Sequence, residues 1–158
     1  MSKQSAGILL YRFRNQISEV LLVHPGGPFW AKKDNGAWSI PKGEIEDDEN
    51  PFAAAKRETA EETGMNVEIM NLSSFIELRP VKIKSGKIIF AWAIEGNFDT
   101  NEIKSNSFEM EWPPKSGQIK QFPEADKAGW FSMEEAKIKI NNGQVPILEE
   151  LADKIKMR

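Results

Sequence analysis

The 158-residue sequence contains no cysteine and a single histidine, His24. The absence of cysteine excludes thiol nucleophiles, zinc–thiolate sites, iron–sulfur clusters and disulfides. With one histidine, a metal site with several imidazole ligands is impossible, and a Ser–His–Asp triad would have to include His24. A bound metal would therefore have carboxylate and carbonyl ligands, which favour hard ions such as Mg²⁺ or Mn²⁺.

Long apolar runs and an excess of basic residues are also missing. No stretch approaches the roughly 18 apolar residues of a membrane span, and the N-terminal apolar run covers only Ile8–Leu10. We therefore expect a cytoplasmic protein without a membrane partner. The 21 basic and 24 acidic residues give a net charge of −3, which argues against a nucleic-acid-coating surface. With 40% hydrophobic residues and a length near that of a typical domain, residues 1–158 are expected to form one globular domain.

The apolar pattern predicts strands that alternate with helices, and therefore an α/β fold with a mixed sheet between helices. Predicted strands cover Ala6–Phe13, Glu19–Val23, Ala37–Ile40, Asn66–Leu78 and Lys87–Ile94, and another ends at Trp130–Phe131. Helices are predicted over Pro51–Thr63, over Met133–Ile140 and around the C-terminal stripe Ile147, Leu148, Leu151 and Ile155. The thirty residues from Gly96 to Ala125 are predicted to form a polar loop, and a loop of this length is more often functional than idle.

Three glutamates lie close together near the end of the first predicted helix. Glu58, Glu61 and Glu62 fall within an arc of roughly 100°, with Cβ atoms about 5–6 Å apart. Such a run usually forms a solvated charged face. Each like-charge pair, however, costs roughly 0.2–0.5 kcal/mol, and the helix dipole disfavours each anion there by about 0.3–1 kcal/mol. These costs favour a bound divalent cation as the function of the cluster.

The same segment resembles the Nudix box, G-x5-E-x7-R-E-U-x-E-E-x-G-U, where U is an aliphatic residue. Gly43, Glu49 and the run Arg57–Met65 supply every charged and glycine position at the required spacing. The departure is Thr59 at the first U position, which we expect to pack through its methyl group. The resemblance implies an α/β/α sandwich and hydrolysis of a nucleoside diphosphate linked to another group, by attack of water on phosphorus.

The resemblance also implies a role for each box residue. Arg57 would orient Glu58, which is the candidate general base, and Glu49 would lie near Arg57 or hold a water of the metal shell. The cofactor would be Mg²⁺ or Mn²⁺. The implied metal ligands are Glu58, Glu61, Glu62 and the backbone carbonyl of Lys42.

Three residues outside the helix are further candidates. Glu124 lies six residues before Trp130, a spacing found in many relatives of this type, where the glutamate assists the metal or the base; a plain loop glutamate is the alternative. The Lys42 ammonium group is expected to contact a substrate phosphate, and a solvated lysine is the alternative. Of the tryptophans that could stack on a purine, Trp112 is favoured because it lies in the long loop beside two prolines. His24 is expected to cap its loop or face solvent.

The leading functional hypothesis is a pyrophosphohydrolase whose partner is a small-molecule nucleotide, either a nucleoside triphosphate or a dinucleoside polyphosphate. Residues 21–46 and 107–131 resemble a bacterial subgroup of predicted nucleoside-polyphosphate hydrolases. Removal of pyrophosphate from RNA 5′ ends is an alternative, against which the net acidity counts mildly. A non-catalytic nucleotide sensor is a second alternative, and the intact set of three glutamates argues against it.

Overall fold

The computed structural model describes residues 3–67 and 74–156. The strands of these residues are β1 (Gln4–Arg14), β2 (Ile17–Pro25), β3 (Lys42–Glu44), β4 (Ile76–Glu77), β5 (Val81–Lys82), β6 (Ile88–Glu95), β7 (Ser107–Glu111), β8 (Ile119–Pro123) and β9 (Ala125–Ser132). The helices are α1 (Pro51–Thr63), α2 (Met133–Lys139) and α3 (Val145–Lys156). Among these helices, none has both the length and the apolar character needed to cross a membrane.

The main sheet is mixed, in agreement with the prediction. Its central order is β4–β6–β1–β2–β9, with β3 added to β1 and β5 added to β6. Strand β1 runs parallel to β6, and the other pairs in this sheet are antiparallel. Because β1 is covered on both faces, it contains an unbroken run of seven buried residues, from Ser5 to Tyr11.

Alternation along β1 divides the core into two layers, one on each face of the sheet. On one face, Ala6, Ile8 and Leu10 pack with Ala54 and Ala55 of α1. On the other face, the core contains residues of β1, α2 and α3: Leu9, Tyr11, Ala136, Leu148, Leu151 and Ile155. The chain is therefore an α/β/α sandwich, and this arrangement fixes α1 against the central strand.

The bounds of α1 agree with the prediction because both ends carry capping residues. The Asn50 side chain accepts hydrogen bonds from the backbone N–H groups of Phe52 and Ala53, and Pro51 occupies the first turn. Gly64 ends the helix at φ 79°, the left-handed conformation that glycine adopts most readily. Within the helix, Thr59 is fully buried, and its hydroxyl oxygen accepts a hydrogen bond from the Ile8 N–H at 3.2 Å. A threonine therefore suits this otherwise aliphatic position.

The predicted strand over Ala37–Ile40 is wrong. Ser39 bridges to Val23 of β2, whereas Trp38 bridges to Ile140 beyond α2, so neighbouring residues bond to different elements and no strand ladder forms. The neighbouring strand β3 begins only after Pro41. The predicted strand over Asn66–Leu78 lies partly outside the described residues, and its described end contains β4.

The predicted loop over Gly96–Ala125 is also wrong in part, because it contains the hairpin formed by β7 and β8. Phe108 lies opposite Phe122 in this separate two-stranded sheet. The Glu111 carboxylate accepts hydrogen bonds from the N–H groups of Lys115 and Gly117, which closes the turn. The long connection therefore has an ordered local structure beside the main sheet.

Removing the cap of α1 tests how much this helix depends on it. We expect Asn50→Ala to lower the free energy of unfolding by about 1 kcal/mol, because two N–H groups of the first turn lose their acceptor. Asn50→Asp is the control, since aspartate caps equally well. Urea unfolding of the three proteins measures the difference, and equal midpoints for Asn50→Ala and the unsubstituted chain would contradict the assignment.

Candidate active site

The candidate site lies where the end of α1, strand β3 and the junction between β8 and β9 meet beside β1. Lys42 of β3 pairs with Gly7 of β1, and α1 is joined to β1 next to this pair by the bond between Thr59 and Ile8. The junction is held to the end of β2 because the Glu124 carbonyl accepts a hydrogen bond from the Gly26 N–H at 3.0 Å. Backbone contacts of three separate elements thus fix the positions of the site residues.

Arg57 is the centre of a carboxylate network. Its Nε and Nη2 atoms donate to the two oxygens of Glu49 at 2.8 and 2.9 Å, and Nη1 donates to Glu58 at 2.7 Å and to Glu61 at 3.0 Å. Nη2 also donates to the backbone carbonyl of Glu44 at 3.1 Å. The guanidinium group, assisted by a backbone hydrogen bond from Glu46, lowers the pKa of Glu49 to about 2. In this arrangement Glu49 positions Arg57, and Arg57 positions Glu58 and Glu61.

Gly43 provides the space that Glu58 occupies. A Cβ atom at position 43 would overlap the carboxyl group of Glu58, so a larger residue would displace that side chain. Burial raises the pKa of Glu58, and the nearby charges of Glu61 and Glu124 act in the same direction, although the Arg57 hydrogen bond opposes them. Glu58 is consequently both closely held and a stronger proton acceptor than an exposed glutamate.

Glu62 and Lys42 are neighbouring titratable side chains in a less exposed environment. Burial raises the pKa of Glu62 to about 8, despite the opposing effects of the Lys42 charge and a backbone hydrogen bond from Lys42. Burial also lowers the pKa of Lys42. Both side chains line a cavity of about 150 Å³, together with Val23, Pro25, Ser39 and Glu124.

The structure places the two remaining candidates differently. Glu124 lines the cavity, and its pKa is raised by partial burial and by the charge of Glu61. Ser107, at one end of the hairpin, pairs with Pro123 beside Glu124. Trp112 lies just past the other end of β7, five residues from Ser107. That separation corresponds to about 17 Å of strand. Trp112 is therefore not part of the cavity.

The donor set suits a hard divalent cation, because all of its candidate side-chain ligands are carboxylates. Within residues 3–67 and 74–156, however, no three acidic or histidine side chains are gathered closely enough to form a metal cluster. The reason is visible in the contacts: Arg57 binds Glu58 and Glu61, whereas Glu62 faces Lys42. Burial is the largest cause of the raised pKa values of Glu58 and Glu62, and repulsion from neighbouring carboxylates adds to it. A cation bound beside these groups would favour their ionised forms.

Some residues of the site were not found from the sequence. Pro25 and Ser39 line the cavity, and the Glu44 carbonyl binds Arg57. Ser39 lies only three residues before Lys42, so proximity along the sequence was the available signal. Pro25 had no such signal, because its position depends on the pairing of β2 with β9.

The chain is thus an α/β/α protein with an acidic site at one end of its mixed sheet. A family model described as the NUDIX domain matches residues 1–151. The chain belongs to the Nudix hydrolase family. Members of this family generally use divalent metal ions.

Curated relatives agree with this assignment. The chain is 33% identical to Nudix hydrolase 8 of Arabidopsis thaliana over 108 residues, which cover 68% of this chain and 29% of that protein. It is 29% identical to Nudix hydrolase 5 of the same plant over 117 residues, covering 73% of this chain and 38% of that protein. The chain thus matches about a third of the length of these relatives.

Solved structures show the same fold at low sequence identity. A binary complex of the Caenorhabditis elegans Ap4A hydrolase gives a TM-score of 0.67 at 21% identity, over 99% of each chain. The NUDIX domain of Shewanella oneidensis NrtR complexed with ADP ribose gives 0.64 at 15% identity, over 98% of this chain and 89% of that one. The first of these neighbours is named as an Ap4A hydrolase, and the second contains bound ADP ribose.

The raised pKa of Glu62 predicts a pH-dependent cost to stability. The folded protein holds the Glu62 proton up to about pH 8, whereas the unfolded chain releases it near its ordinary pKa of 4.5. Between these values the folded state binds more protons, so its stability falls as pH rises. Glu62→Gln has no carboxyl group to titrate at this position. Its free energy of unfolding, relative to that of the unsubstituted chain, should therefore rise by roughly 1 kcal/mol per pH unit across this window.

Urea unfolding at pH 5, 6.5 and 8, with EDTA present, measures this difference. Glu149→Gln on the exposed face of α3 is the control, and its offset from the unsubstituted chain should not change with pH. A Glu62→Gln offset that is constant from pH 5 to pH 8 would show that Glu62 titrates normally.

Proposed function

We propose that this chain hydrolyses a phosphoanhydride bond of a nucleoside diphosphate linked to another group, with a divalent cation as cofactor. The observation that carries the proposal is the set of α1 carboxylates with raised pKa values beside a cavity that also contains Lys42. The proposed substrates are nucleoside triphosphates and dinucleoside polyphosphates, and the proposed compartment is the cytoplasm. The fold that the chain shares with a named Ap4A hydrolase supports the choice of substrate.

The cation, Mg²⁺ or Mn²⁺, would be held by oxygen ligands at the end of α1. When bound, it supplies positive charge that offsets the substrate phosphates and lowers the pKa of water. The carboxylate oxygens of α1 fit this role. The single positive charge of Arg57 offsets only part of the repulsion between these carboxylates. The proposed ligands are Glu58, Glu61, Glu62 and the backbone carbonyl of Lys42.

Glu58 is the proposed general base that removes a proton from the attacking water. Its pKa is raised towards neutral pH, and a general base is most effective when its pKa lies near the working pH. Arg57 orients this carboxylate through the 2.7 Å hydrogen bond, and Glu49 fixes the guanidinium group from the other side. Glu124 faces the same cavity and is proposed to assist the base or the cation.

Lys42 and Trp112 are the proposed substrate contacts. Lys42 lines the cavity, where its ammonium group would bind a phosphate oxygen beside the reacting phosphorus. Trp112 remains a prediction for base contact, and its position at the far end of the hairpin restricts it to the end of an extended substrate.

Replacement of the proposed base tests the function. With Mg²⁺ or Mn²⁺ present, we expect turnover of at least one substrate among diadenosine tetraphosphate, nucleoside triphosphates, ADP-ribose and 5′-triphosphate RNA. Glu58→Gln should lower kcat for that substrate at least about 100-fold, because the neutral amide neither accepts the proton nor supports the cation. Glu149→Gln is the matched control and should remain within twofold of the unsubstituted chain.

Two results would overturn the proposal. Unchanged kcat in Glu58→Gln would place the chemistry elsewhere in the molecule. Nucleotide binding by the unsubstituted chain, without turnover of any substrate in the presence of either cation, would instead identify a sensor.

A methyl group at position 43 tests whether Glu58 acts from the position seen here. We expect Gly43→Ala to lower kcat at least about tenfold, because its Cβ displaces the Glu58 carboxylate from the Arg57 hydrogen bond. If the loss acts through Glu58, the double variant Gly43→Ala/Glu58→Gln will be no slower than Glu58→Gln alone. Steady-state kinetics measure this cycle, and additive losses would contradict it; circular dichroism confirms that each variant is folded.

A further inference from the structure

The segment 26–36, which we call the aromatic loop, is held to the rest of the protein near both of its ends. It connects the end of β2 to Ala37, and its first glycine packs so closely on Pro123 that a Cβ there would overlap the proline carbonyl. Polar contacts hold it at four further points. They join Gly26 to Glu124, Lys33 to His24, Asp34 to Trp38, and Gly36 to Ile138, at 3.0, 2.6, 2.8 and 3.0 Å.

At its turn, the aromatic loop exposes the ring of Phe29 and has the half-buried ring of Trp30 beside it. The Phe29 side chain is 62% exposed, and its ring meets Trp30 edge to face at 5.1 Å between centroids. The Lys33 ammonium nitrogen lies 4.0 Å from the centre of the Phe29 ring and 5.1 Å from that of Trp30. The Phe29 ring, the Trp30 ring and the Lys33 ammonium group thus lie together at the surface, between the two anchored ends of the loop.

This surface is adjacent to the candidate active site. Pro25 lines the cavity and Phe29 follows four residues later, a distance of at most about 14 Å along the chain. Gly27, between them, lies against the Phe108 ring at the base of the hairpin. Farther along the loop, the Lys33 carbonyl contacts His24 of β2, whose ring meets Trp38 edge to face.

We propose that Phe29 and Trp30 stack against a nucleobase of the substrate, while Lys33 attracts its phosphate chain. This inference rests on the proposed function and assigns it a base-binding surface. Every nucleobase offers a π-face to an exposed aromatic ring, whereas a lysine beside the rings matches the negative charge attached to the base. The combination fits a nucleotide better than an uncharged apolar ligand, which would gain nothing from the ammonium group.

A comparison of two ligands, one with nucleobases and one without, distinguishes base stacking from attraction of the phosphates. Calorimetry in the Glu58→Gln background, in which hydrolysis is expected to be slow, would compare diadenosine tetraphosphate with inorganic tripolyphosphate, which has no base. We expect Phe29→Ala and Trp30→Ala to weaken binding of the dinucleotide at least about fivefold and binding of tripolyphosphate less than twofold. Lys33→Ala should weaken both ligands, and Phe29→Trp should retain dinucleotide affinity because it retains an aromatic face.

Phe13→Ala is the matched control, since Phe13 is 44% exposed but lies near the other end of β1 and should affect neither ligand. Unchanged dinucleotide affinity in Phe29→Ala and Trp30→Ala would overturn the inference, as would equal weakening of both ligands. Turnover by the unsubstituted chain is measured in parallel. If turnover is present and the loop variants bind normally, only this inference fails; if nucleotides neither bind nor turn over, the proposed function fails as well.

Discussion

The contact between the Arg57 guanidinium group and the surrounding carboxylates is the interaction on which the candidate site depends. Glu58 and Glu61 lie near the carboxyl end of α1, where the helix dipole and their mutual repulsion both disfavour negative charge. The planar guanidinium binds Glu49 through two parallel hydrogen bonds and still has a donor for each of the helix carboxylates. A lysine could not reproduce this geometry, because its ammonium group lacks the fixed fork.

Glu49 and Glu62 lie in different environments, and their pKa values are shifted in opposite directions. Glu49 is stabilised as an anion by Arg57, and its pKa is lowered to about 2, so it stays charged and positions the guanidinium group. Glu62 lies in the cavity with Lys42, where burial outweighs the attraction of the lysine and raises its pKa to about 8. The two pKa values differ because the hydrogen bonds from Arg57 dominate at Glu49, whereas burial dominates at Glu62. A divalent cation bound at the cavity would favour the ionised form of Glu62.

The parts of the structure that were predictable from the sequence are those determined by local interactions. The bounds of α1 were predicted because Asn50 and Gly64 cap its ends. The hairpin of β7 and β8 was missed because prolines and a glycine dominate its turn, although Phe108 and Met110 alternate with polar residues as in a strand. The pairing of Lys42 with Glu62 depends on packing between β3 and α1, which no local pattern specifies.

In the proposed reaction, residues at the end of α1 direct water to a phosphorus atom of a nucleotide. The most direct test is turnover of diadenosine tetraphosphate with Mg²⁺ in ¹⁸O-labelled water, with mass analysis of both products. We expect one ¹⁸O atom per turnover in a single phosphate-containing product, and loss of this labelling at equal reaction time in Glu58→Gln. Products without label, or equal labelling by Glu58→Gln, would contradict this proposal.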